Sequence, residues 1–197
     1  MTEKSMNDRI GSGNNTLSYI KKLYTFKGTN VPAMKDDEIY VANTNNYRGG
    51  MRFELISTRF PNSAYRNYAT NWDDVCKRIN EFSYFGDELN RSNYCKDDLA
   101  TLMAGAATDP EKVAAIYNHI KSKVKWNEYY GKYTDKGVRK AYKEGVGNTA
   151  EINLILTSML RTAGLNANPV LVSTKDNGIP FFLTLNGFNY VVSIVVI

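Results

Sequence analysis

The sequence contains one histidine, His119, among 197 residues. Metal-free hydrolytic enzymes usually move protons through an imidazole, so this scarcity narrows the catalytic options at once. A zinc site with two histidines cannot be built within the chain. Cysteine is equally scarce: Cys76 and Cys95 lie too far apart for a CxxC motif and have no second pair, which excludes a four-cysteine zinc site. No metal site and no cofactor motif is read. The two thiols would pair only in an oxidising compartment; otherwise they read as small buried or half-buried side chains. Long apolar runs are also missing. Tyr190 to Ile197, among the longest, falls short of the roughly 18–20 residues that span a bilayer, so no membrane-spanning helix is expected. Met1 to Asn15 is polar and has no apolar centre, so it does not read as a signal peptide, and this leaves the compartment open.

What is present is enough for a packed core. Hydrophobic residues make up 43% of the chain, and the length suits one large or two small domains, which excludes disorder throughout. The net charge is +5, with much of the excess between Lys121 and Lys143. Trp126, Tyr129, Tyr130 and Tyr133 interleave with the lysines there, a composition that superficially suits nucleic acid or an anionic polysaccharide. No phosphate-cradling glycine loop, zinc finger or aromatic RNA-binding signature accompanies it. A solvated basic helix face beside a tyrosine-rich turn accounts for the same residues, and nucleic acid is not the expected partner.

Along the chain, residues 1–15 contain Gly11-Ser12-Gly13-Asn14-Asn15 and few apolar residues, and read as a flexible leader. Residues 16–64 read as a β-rich segment, with strands expected over Leu17–Phe26, Glu38–Ala42 and Gly50–Phe60. Asn30-Val31-Pro32 and Asn43 to Asn46 supply turns. The alternation in Met51-Arg52-Phe53-Glu54-Leu55 predicts one face on a core. From residue 65 the pattern becomes mixed. A helix is expected over Asn71–Asn80 with Val75, Cys76 and Ile79 on one side, and another over Asp109–Lys125 with Asp109 as N-cap and Pro110 in the first turn. Val113, Ile116, Tyr117, Ile120 and Val124 form its stripe, with His119 beside it. Asn148-Thr149-Ala150-Glu151 has the form of a capping box opening a third helix that Gly164 stops. A strand over Asn168–Ser173, a turn at Asp176-Asn177-Gly178 and a strand over Phe188–Ile197 follow. Because the chain stops inside that last apolar run, a longer protein is expected.

Four stretches carry a family resemblance: Lys123-Val124-Lys125-Trp126-Asn127; Gly147-Asn148-Thr149-Ala150-Glu151-Ile152-Asn153; Ala163-Gly164-Leu165 running on to Pro169-Val170-Leu171-Val172-Ser173-Thr174; and Phe188-Asn189-Tyr190. Together they resemble the transglutaminase-like superfamily, in particular bacterial domains that follow a β-rich domain of unknown function. The resemblance implies an α+β fold: a papain-like core of helices packed on an antiparallel sheet over residues 65–197, truncated at its C-terminus and preceded by the tail of a β domain. It also implies export to the periplasm or beyond.

Active members of that superfamily use a Cys-His-Asp triad, with the cysteine in the first turn of a helix, where the dipole favours a thiolate. Here Thr149 stands at the position resembling the cysteine and Tyr190 at that resembling the histidine, while the strand that would supply the aspartate lies beyond Ile197. An internal threonine without an adjacent base is a poor nucleophile, and a phenol, which titrates near ~10, does not replace imidazole near neutrality. The expectation is therefore a non-catalytic module without cofactor or metal. It would bind peptide, protein or glycan, or scaffold neighbouring domains, through a cleft lined by Trp126, Asn148, Thr149 and Tyr190. The alternatives are an active cysteine amidase, protease or crosslinking transglutaminase, which would need a nucleophile and base absent from these positions, and a module that only spaces its neighbours.

Overall fold

A computed structural model describes residues 1–9, 16–35, 39–51, 53–68 and 70–197. The chain divides into two units, Met1–Glu38 and Ile39–Ile197. In the first, β1 (Thr2–Arg9) and β2 (Thr16–Leu23) pair antiparallel, with Thr2 opposite Leu23 and Arg9 opposite Thr16. Cross-strand polar contacts mark the register: the Tyr19 hydroxyl donates to Asp8 at 2.6 Å, and Lys22 lies 3.1 Å from Glu3. Thr2–Arg9, expected within a flexible leader over 1–15, is thus a strand. It has no apolar alternation because a partner strand, rather than a core, satisfies its backbone. The glycine-rich part of that leader, 10–15, lies outside the described residues.

The second unit begins with a 3-10 turn at Thr44–Asn46, capped by Asn43. The strands β3 (Ser57–Thr58) and β4 (Arg66–Asn67) form a two-residue antiparallel ladder. The strands expected over 38–42 and 50–60 shrink to β3 among the described residues, which omit Glu38 and Arg52. Phe53, Leu55 and Ile56 are exposed, so the alternation there faces no core. A strand needs a partner for its N–H and C=O groups, and among the described residues of 50–60 the only ladder is that of β3 with β4, flanked by Tyr68 N donating to Ile56 O.

Helix α1 (Trp72–Glu81) starts at Asn71, whose side chain accepts from Asp74 N at 2.8 Å. Val75 and Ile79, one turn apart, are buried, whereas Cys76 is turned about 100° from Val75 and is exposed. A π-helical turn at Ser83–Asp87 precedes α2 (Lys96–Ala104) and α3 (Asp109–Lys123). The N-cap of α3 is Thr108, not Asp109: Thr108 and Glu111 form a reciprocal capping box, which leaves Asp109 in the first turn. Ile116, Ile120 and Val124 are buried, but Tyr117 is 51% exposed and lies off the stripe.

The short strand β5 (Lys125–Trp126) precedes α4 (Val138–Glu144) and pairs parallel with β6 (Val146–Gly147), which follows that helix. Next comes α5 (Thr149–Thr162), stopped by Gly164 at φ +84°. β7 (Asn166–Val172) and β8 (Tyr190–Val196) pair antiparallel, with Val172 opposite Tyr190. Helix α5 packs against α3 and α4 and against β7 and β8. Leu154, Ile155 and Met159 of this helix are fully buried with Ile116, Val138 and Val191. Each such side chain contributes about 1.5–3 kcal/mol of burial. The fold is α+β, a helical layer on an antiparallel sheet.

Candidate functional site

The N-terminus of α5 is held by a closed set of hydrogen bonds. Asn148 Oδ1 accepts from Glu151 N, and Glu151 Oε2 accepts from Asn148 N, both at 2.8 Å. Glu151 is fully buried, and its other oxygen accepts from the backbone N–H groups of Asp135, Lys136 and Gly137 at 3.1, 2.7 and 3.0 Å. One carboxylate thus caps a helix and anchors the loop that leads from Trp126 to α4. Gly137, at φ +87°, suits this turn: a Cβ there would strain the backbone and meet a carboxylate oxygen of Glu88 at 2.9 Å.

The same loop is pinned along its length. The Thr149 hydroxyl donates to Gly131 O at 2.8 Å and lies 2.9 Å from Gly131 N, from which it accepts. Asn148 Nδ2 donates to Tyr133 O at 2.9 Å. Thr134 donates to Tyr84 O through both its backbone N, at 3.1 Å, and its hydroxyl, at 2.9 Å. Lys132 is 9% exposed, and its Nζ donates to the carbonyls of Leu185 and Phe188 at 2.6 and 2.7 Å. Burial lowers the pKa of its ammonium.

A cavity of about 230 Å³ opens beside this helix start, lined by Trp126, Tyr130, Thr149, Ile152, Asn153 and Tyr190. Trp126 and Tyr130 rings lie 4.7 Å apart, and Tyr130 and Tyr190 rings 5.9 Å apart, giving an aromatic wall from β5 to β8. The Trp126 indole N–H donates to Tyr129 O at 3.1 Å, which fixes the ring. Three sequence-predicted residues, Trp126, Thr149 and Tyr190, therefore meet at one concavity. Asn148 does not: it is fully buried, with its amide committed to Glu151 and Tyr133. The sequence reading missed Tyr130, Ile152 and Asn153. The last two sit three and four residues after Thr149, the helical spacing that would have found them. Tyr130 carries no sequence signal beyond its place in the basic, tyrosine-rich stretch.

The first-turn amides are largely spent. Thr149 N donates to Tyr129 O at 3.3 Å, and Ile152 N donates to Asn148 O at 3.1 Å. The other reactive groups lie elsewhere. Cys95 is buried; its Sγ donates to Ser92 O at 3.2 Å, and burial pushes the thiol up to about 11. His119 Nε2 lies 2.7 Å from Tyr142 Oη, which donates to Asp98 at 2.5 Å. The Tyr142 hydroxyl, then Lys123 and His119, hold the Asp98 carboxyl below the ordinary carboxylate range, while burial and Asp98 raise Tyr142. This cluster ties α2, α3 and α4 together, and none of its members lines the Thr149 cavity. Among the described residues, no group of three or more His, Cys, Asp or Glu is placed to hold a metal ion.

Residues 97–192 match the family model of the transglutaminase-like superfamily. The matched stretch contains Trp126, Asn148, Thr149 and Tyr190, whereas Cys76 and Cys95 lie before it. The chain is also similar to a crystal structure of a proposed protease from Parabacteroides distasonis, at 17% identity and a TM-score of 0.44. That match covers 56% of this chain and 23% of the other, so it spans about a quarter of that protein. No curated protein matches the sequence. No helix among the described residues is long and apolar enough to cross a membrane.

Proposed function

We propose that the transglutaminase-like domain is a non-catalytic binding module of an exported bacterial protein, and that its aromatic cavity receives a peptide or glycan segment. The observation that carries this reading is the Thr149 hydroxyl. It is 2.8 and 2.9 Å from the carbonyl and amide of Gly131, so both its donor and an acceptor lone pair serve the loop. A hydroxyl held in this way, in a residue 4% exposed, is a structural clasp rather than a nucleophile. Across the cavity stands Tyr190, where the resemblance expects an imidazole, and the single histidine is engaged with Tyr142. What the cavity does offer is ring surface: Trp126 and Tyr130 are 42% and 58% exposed. Such faces stack on the apolar side of a sugar or on a peptide side chain.

Trp126 supplies the test. In a Trp72→Phe background its fluorescence should respond saturably to a glutamine-containing peptide or to a chitin hexamer, and Tyr190→Ala should remove the response. A response that survives Tyr190→Ala, or no response to either probe, would overturn the reading. Ammonia release from the peptide, abolished by thiol alkylation, would instead establish the cysteine amidase alternative.

A further inference from the structure

A second concavity, of about 570 Å³, lies between the 90–94 turn and α4, lined by Asn90, Arg91, Ser92, Asn93, Tyr94 and Arg139. We propose that it is a binding site for a small hydroxylated oxyanion, a sugar acid or sugar phosphate. Two guanidinium groups line one wall system, and only one has an acidic partner. Arg91 Nη1 lies 2.7 Å from Glu88 Oε1, and the other Glu88 oxygen accepts from Val138 N at 2.7 Å, so that carboxylate is spent. Arg139 has no acidic group within ion-pair distance among the described residues. The cavity therefore carries one uncompensated positive charge, beside an Arg91 whose remaining N–H groups stay available. Planar guanidinium groups match carboxylate and phosphate oxygens with paired hydrogen bonds.

The rest of the lining favours hydroxyl groups over apolar surface. Asn90, Ser92 and Asn93 supply amides and a hydroxyl able to donate and to accept, as a polyol requires. The volume is far more than a bare phosphate fills and suits a monosaccharide-sized ligand. The wall is also rigid: Ser158 Oγ of α5 donates to Arg91 O at 2.7 Å, and Cys95 Sγ donates to Ser92 O at 3.2 Å. Behind the same wall the Tyr94 ring packs on Tyr142, and its buried hydroxyl lies beside Ser158. Ser158 comes nine residues after Thr149 on α5, about 14 Å along the axis. The two cavities share no lining residue.

Calorimetric titration of the full chain at fixed ionic strength tests the site with glucuronate, glucose 6-phosphate, glucose and inorganic phosphate. At least one acidic sugar should bind saturably, with glucose and inorganic phosphate each at least tenfold weaker. The two acidic sugars distinguish a carboxylate reader from a phosphate reader. Arg139→Gln should weaken the acidic sugar at least tenfold at unchanged melting temperature, because that side chain holds no other group. Lys140→Gln removes the same charge one residue away and should leave the affinity within twofold. The proposal is overturned if neither acidic sugar saturates, or if glucose or phosphate binds equally well. It is overturned equally if Arg139→Gln has no effect, or if Lys140→Gln matches it.

Discussion

Glu151→Gln probes the clamp at the start of α5 with almost no change in shape. The native carboxylate is fully buried and accepts four backbone N–H groups, at 2.7 to 3.1 Å. An amide has a single acceptor oxygen. In the better of its two orientations that oxygen keeps Asp135, Lys136 and Gly137, and its NH₂ then confronts the N–H of Asn148, donor against donor. A hydrogen bond to a charged acceptor contributes about 1.5–3 kcal/mol, and a buried donor left unpaired costs about 1–3 kcal/mol. Weaker bonds at the three retained amides add to this, so Glu151→Gln should lower stability by about 2–4 kcal/mol. Glu151→Ala, which strands all four donors, should cost about 4 kcal/mol or more. Equilibrium urea unfolding gives the global figure. Hydrogen exchange gives the local one: the amides of Asp135, Lys136, Gly137 and Asn148 should lose more protection than those of Leu154 and Ile155. A Gln variant within about 0.5 kcal/mol of the parent, with those amides unchanged, would refute the clamp.

Three further outcomes are expected. Thr149→Val deletes both bonds to Gly131 and should cost about 1–3 kcal/mol in urea unfolding, whereas Thr149→Ser keeps the hydroxyl and should stay within about 1 kcal/mol; equal losses would show that the methyl group, not the clasp, matters. In the folded chain an aromatic disulfide reagent should label Cys76 promptly and Cys95 only on unfolding, since Cys95 is buried and its thiol is raised to about 11. Because the folded thiol keeps its proton where the unfolded one ionises, stability should fall as pH climbs from about 9 towards 11. Cys95→Ala should flatten that alkaline limb, and equal labelling rates at the two thiols would contradict the burial.

The parts of the fold that local chemistry encodes were legible. The capping box at Asn148 and Glu151, the stop at Gly164 and the strands β7 and β8 depend on neighbours within a few residues or on β-branched runs. Thr108 took the cap expected of Asp109 because both are good N-cap residues and only Thr108 has Glu three positions on. Helix α4 has seven residues, too few for a periodic stripe, and α2 fully buries only Leu99, with Leu102 and Met103 half-buried against the core. The site was half legible. Thr149, Tyr190 and Trp126 stand out by motif, but Tyr130 joins them through a loop whose course is set by long-range bonds to Glu151 and Gly131. No local pattern carries such bonds. Strand β1 was missed for the opposite reason: pairing with β2, which falls on the strand expected over Leu17–Phe26, makes it a strand without burial.

Lys132 belongs by composition to the basic run between Lys121 and Lys143, but not by position. Its ammonium is buried and donates to two carbonyl oxygens, with the Glu54 carboxylate near enough to favour its charge, and buried charges of this kind are screened little by dissolved ions. Exposed neighbours such as Lys121 and Lys125 behave differently, because any polyanion they attract is shed as salt is added. The loop beside the aromatic cavity therefore stays anchored to the 185–188 segment from dilute buffer to molar salt. High salt becomes a tool: it strips adventitious polyanions from the surface while leaving the aromatic wall standing, and whatever still binds there is held by ring contact.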